Sequence, residues 1–149
     1  MSYSLSKIRW RGVLGAAFAV IALSFLIPIV ISTVYAFVLA FKARGAPDQT
    51  AISHFAASVS SKLMPWLEMA LTLLLALRVA RRTEGAPILS GLIVGILAGL
   101  LSLAVTLAFA GRLGLRASLF LLIVVALGWL GGFLGQKTVT VARRKDPRD

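Results

Sequence analysis

Glu68 is the side chain in this sequence whose type and position together suggest chemistry. It sits inside an apolar run that ends at Leu77, just before Arg78, Arg81 and Arg82, and no other ionisable residue lies as deep in any apolar run. Ten residues separate it from Arg78, about 15 Å of helix, which puts it near the middle of a bilayer whose hydrocarbon core is about 30 Å thick. An acid at that depth costs roughly 2.5–3.5 kcal/mol on insertion scales, so it must face protein and find a partner. Ser58, Ser61, Pro65, Glu68 and Thr72 recur at helical spacing and form a small, polar stripe; Ser24, Pro28, Ser32 and Tyr35 form a similar one in the first apolar run. Counted inward from the same edge, Ser24, Ala98–Gly99 and Gly128 share the depth of Glu68. A desolvated carboxyl flanked by Ser24, Ser61 and Thr72 is a candidate proton or small-cation site. Other roles compete: a neutral strut hydrogen-bonded to a neighbour, a shallower residue paired with Lys62 or Arg116, or a contact to a partner chain. Structural pairing is the expectation and conduction the alternative.

Little else in the chain suggests chemistry. There are no cysteines, one histidine and five carboxylates, a poor supply of metal ligands or nucleophiles. His54 has no second ligand at i+3 or i+4, and no phosphate loop, nucleophile elbow or paired-carboxylate set occurs. No enzyme, metal or cofactor is expected. The net charge of +11 would suit nucleic acid in a soluble protein. Here the cations sit in short segments flanking apolar runs, where they set topology and meet anionic headgroups, so nucleic-acid binding is not expected.

The elements that must position Glu68 follow from composition. Apolar residues make up 59% of the 149 residues and charged ones 14%, and the mean hydropathy is +0.94; soluble domains hold roughly 45–50% and about 25%. Four runs are long enough to span: 13–41, 58–78, 88–110 and 116–136. Each must be a helix, because unpaired backbone groups find no water in lipid. The expected fold is therefore all-α and single-domain: four transmembrane helices in two antiparallel hairpins, with a basic tail over 137–149 that is expected to be disordered. The first run, led in by Lys7, Arg9 and Arg11, reads as a retained helix and not a secretory signal, since its apolar core is about twice the usual length. Pro28 predicts a kink in it. Between the first two runs, Gly45-Ala46-Pro47-Asp48 reads as a turn, with Ile52, Phe55 and Val59 on an amphipathic turn or two at the surface.

Arginine and lysine cluster at the N-terminus, around Arg78, Arg81 and Arg82, and in the tail with Arg143, Arg144 and Lys145; the other two connections carry fewer. The positive-inside rule then puts both termini in the cytoplasm of a bacterial inner (plasma) membrane, with Arg9, Arg11 and these residues at the headgroups and Trp10 as an interfacial anchor.

The third run carries Gly91, Gly95 and Gly99, and the fourth Gly128, Gly131, Gly132 and Gly135. Glycine at four-residue spacing lets another backbone approach closely, a glycine zipper. Taking Leu113 as the midpoint of the connection pairs Gly91 with Gly135, Gly95 with Gly131 and Ala98 with Gly128. The sequence thus reads as a small accessory, assembly or scaffolding subunit, its partners the anionic bilayer and other membrane subunits or itself. The alternative is proton or small-cation transport through a bundle or oligomer using Glu68.

Overall fold

The computed structural model describes residues 10–43, 48–83, 85–110 and 115–145, and all of its regular structure is helical. The helices are α1 (Trp10–Ala43), α2 (Gln49–Arg82), α3 (Pro87–Ala110) and α4 (Leu115–Lys145). All four are long and apolar enough to cross a membrane, which marks the chain as a membrane protein. Lys7, Arg9, Gly45–Pro47 and Gly111–Gly114 lie outside the described residues.

Two expected boundaries move. The second helix does not begin near Ser58: it begins at Gln49, and Asp48 is its cap. The Asp48 carboxylate accepts from the N–H of Thr50 at 2.8 Å and of Ala51 at 3.3 Å, and its carbonyl accepts from Ile52 N at 3.2 Å. These bonds satisfy donors that a helix start otherwise leaves open. The expected surface turn is thus the first part of α2. Phe55 stacks on Tyr35 of α1 with ring centroids 3.8 Å apart, and Ile52 and Ala56 line a groove with Pro28 and Ile29. His54 is an exposed helical residue. At the other extreme, α4 runs through Lys145, so the segment expected as a disordered tail is helical up to there. α1 continues through Pro28 without a break.

Between α2 and α3 the chain turns within a few residues. Thr83 Oγ1 donates to Val79 O at 2.9 Å and closes the last turn of α2. Gly85 has φ of 103°, a conformation that suits glycine. Pro87 then opens α3, where its missing N–H costs nothing.

The packing is uneven. α4 packs most extensively on α3 and next on α2, while α1 packs on α2 and α3; α1 and α4 do not meet among the described residues. The α3–α4 contact is backbone on backbone. A Cβ at Gly91 would lie 2.6 Å from Gly132 Cα, and one at Gly128 would lie 2.6 Å from Gly95 Cα. The register therefore differs from the expected pairing by about a helical turn: Gly91 meets Gly132 and Gly95 meets Gly128. Gly99 faces the Leu121 side chain. Gly131 and Gly135 are not on this face at all. They face α2, where added Cβ atoms would lie 2.8 Å from Leu73 O and 2.5 Å from Ala80 Cβ. Adjacent helical positions are rotated by about 100°, so two glycine stripes on α4 serve two different neighbours.

These contacts lie toward the end holding Thr83 and Pro87. Buried side chains follow them: Val13, Ala16, Ala17, Val20, Ser24 and Pro28 of α1, and Glu68, Thr72, Ala76, Val79 and Ala80 of α2. Past Pro28 in α1, and before Glu68 in α2, no described residue is buried. One end of the bundle is close-packed and the Leu115 end is loose.

Replacing Gly128 or Gly91 by alanine should lower thermal stability in detergent by about 1–3 kcal/mol, the usual cost of overpacking. Gly12→Ala and Gly15→Ala, where a Cβ meets nothing within 4 Å, should cost nothing. Gly131→Leu should separate α4 from α2 and spare the α3–α4 contact, read by label distances on the two helix pairs. Equal melting of all these variants would refute the close-approach account.

Candidate functional site

Glu68 opens the buried face of α2. Counted from Gln49 it is the first residue on the stripe Glu68, Thr72, Ala76, Val79 and Ala80 to be buried, and it is only 3% exposed. Ser102 of α3 donates from Oγ to Glu68 Oε2 at 3.1 Å. Thr106 Oγ1 donates to the Ser102 carbonyl at 2.9 Å, one turn further along α3. Glu68 Oε1 has no hydrogen-bond partner among the described residues, and neither do Ser24 Oγ and Thr72 Oγ1, all of them buried. Three orphaned oxygens in one small bundle are costly, since a buried polar group without a partner forfeits its hydration.

The carboxyl borders a cavity of about 470 Å³ at the level where close packing ends. The walls differ in chemistry. Among the described residues, α2 and α3 contribute Ser60, Ser61, Glu68, Ser102 and Thr106 along with apolar residues, while α1 contributes Ile21 and Phe25, and α4 Ala117 and Phe120. Toward the Thr83 end a cluster of Val20, Ala98 and Val124, each fully buried, lies beyond it. The cavity is one-sided.

The expected companions of Glu68 divide. Ser61 lines the same cavity, but its hydroxyl donates to Ser58 O at 3.2 Å within α2. Thr72 is one turn away on the same buried face, and Ser24 is buried in α1; neither bonds to Glu68. No ion pair joins Glu68 to Lys62, which is exposed, and the Arg116 side chain lies outside the described residues. The actual partner, Ser102, is not among the expected companions, although it follows Gly91, Gly95 and Gly99 on nearly the same face of α3. A signal existed. Pairing residues about the α2–α3 turn at Gly85, like the pairing of α3 with α4 about Leu113, puts 102 opposite 68.

The basic residues also divide. Arg81 Nε donates to Thr138 Oγ1 at 3.1 Å, and Thr138 Oγ1 donates to Gly135 O at 2.9 Å, a clasp between α2 and α4. Arg11, Arg78 and Arg82 line a second cavity, of about 570 Å³, with Trp10 at the Thr83 end of α1 and α2. Arg9 lies outside the described residues, as do the side chains of Arg143, Arg144 and Lys145. Comparison with protein-family models, with curated proteins and with solved structures finds no match.

The Ser102–Glu68 bond should show as coupling in a double-mutant cycle of Glu68→Leu and Ser102→Ala, measured by unfolding in mixed micelles. The expected coupling is about 0.6 kcal/mol and at most about 1.7, the range for side-chain bonds inside membranes. Strictly additive single changes would mean the bond contributes nothing.

Proposed function

We propose that this chain is a non-catalytic accessory subunit that scaffolds or assembles a larger complex in a bacterial inner membrane. Its four helices cross as two antiparallel hairpins with both termini in the cytoplasm, and the close glycine contacts act as a zipper that holds α2, α3 and α4 as one unit. Anionic headgroups meet the basic residues at the Thr83 end.

The observation that carries this reading is the uncovered surface of α1. α1 and α2 are each 34 residues, about 50 Å long, against a hydrocarbon core of about 30 Å. The half of α1 beyond Pro28 has no buried residue, yet it is apolar: Phe37 is 64% exposed and Phe41 82%. Apolar surface that reaches past the lipid favours a protein partner. Purified in mild detergent, the chain should run in a hetero-complex of fixed stoichiometry. Phe37→Ser with Phe41→Ser should weaken that association and leave the melting of the chain unchanged. A homogeneous assembly of this chain alone would contradict the reading.

Orientation has its own test. A reporter active only in the cytoplasm should give signal when fused at the N-terminus, after Arg82 and after Asp149. Signal from a fusion within 42–53 instead would reverse the topology.

Transport is the second reading, favoured by Glu68 on the cavity lining, whose Oε1 has no partner among the described residues. Against it stand Val20, Ala98 and Val124, fully buried between the cavity and the Thr83 end. Glu68→Gln keeps the size and hydrogen-bonding capacity but removes titration. If the chain conducts, that change should abolish proton or cation flux in liposomes while folding persists. The scaffold reading expects no flux from either protein.

A further inference from the structure

We propose that the cavity beside Glu68 is a binding site for a small amphiphilic monocation: an ammonium head on the carboxyl and an apolar, ring-bearing body against α1 and α4. This goes beyond the scaffold reading and does not depend on it.

The size fits. About 470 Å³ falls within the roughly 300–1,000 Å³ of small-molecule sites. The chemistry is polarised across the space. Among the described residues, every polar side chain on its surface comes from α2 and α3, whereas Phe25 and Phe120 line it from α1 and α4. A ligand with one polar end and one apolar flank matches that division, and an aromatic wall also favours a cation beside it.

The sign of the charge follows from what lines the cavity. Among the described residues the lining holds one carboxyl and no lysine or arginine. Glu68 Oε2 already accepts from Ser102, and Oε1 is buried with no partner among the described residues. An ammonium provides both the donor and the opposite charge, which makes a charge-assisted bond. A bare metal ion fits poorly, because it needs several oxygens around it and, among the described residues, the α1 and α4 walls offer Ile21, Phe25, Ala117 and Phe120.

The probe is 4-phenylbutylammonium, with neutral 4-phenylbutanol as its isostere. Equilibrium dialysis uses the full chain in nanodiscs of zwitterionic lipid, with empty nanodiscs to subtract partitioning. Wild-type protein should bind the ammonium saturably, one per chain, at least about tenfold more tightly than the alcohol, the factor expected of one charge-assisted bond. Glu68→Gln should remove that preference, so that ammonium and alcohol bind alike. Ala117→Phe, which fills the cavity from the α4 wall, should weaken both ligands. Absence of saturable binding, equal affinity for ammonium and alcohol in wild type, or an unchanged preference in Glu68→Gln would each overturn the proposal. The wild-type ratio decides even if Glu68→Gln does not fold, and none of these results bears on whether a hetero-complex forms.

Discussion

The structure depends on backbone meeting backbone. Between helices in lipid there is no hydrophobic drive, and close packing must supply the attraction. Gly91 and Gly95 of α3 meet Gly132 and Gly128 of α4 at distances that leave no room for a methyl group. On its other flank α4 offers Gly131 and Gly135 to α2, against Leu73, Ala76 and Ala80. One helix thus carries two smooth stripes and draws two neighbours onto itself. The Arg81–Thr138–Gly135 clasp fixes the same helix pair with polar bonds at the end of the seam.

Because the glycines are concentrated toward the Thr83 end, the bundle is close-packed there and loosens toward Leu115. The buried residues of α1 stop at Pro28, and those of α2 start at Glu68. The cavity occupies the level where small residues give way to Phe25, Met64 and Phe120. Glu68 sits at this transition, with enough neighbours to be removed from solvent and too few to satisfy both of its oxygens. Its burial and its half-met hydrogen bonding are consequences of the packing gradient.

The two described carboxylates show how environment assigns a role. Asp48 is exposed at a helix start and accepts from the backbone N–H groups of Thr50 and Ala51, a use that needs only local chain geometry. Glu68 is inside the bundle, where the groups that reach it come from another helix. The first contact is decided within four residues; the second needs α2 and α3 in register.

This division explains what was legible. The four helices, their apolar character and the exceptional place of Glu68 follow from the sequence alone, because lipid permits few backbone structures and tolerates few charges. The start of α2 at Gln49 is equally local, but caps and turns favour the same side chains, so Asp48 by itself does not tell a helix cap from a turn. What only the tertiary structure decided is which face meets which neighbour. The α4 glycines at 131 and 132 differ by one position in sequence and by a different partner helix in space. A three-residue change of register moved Gly91 from Gly135 to Gly132, and Ser102 became the donor to Glu68 only once α3 lay beside α2. Periodicity defines a helical face, but the rotation and axial shift of one helix against another depend on the summed contacts of all four, which no single helix encodes.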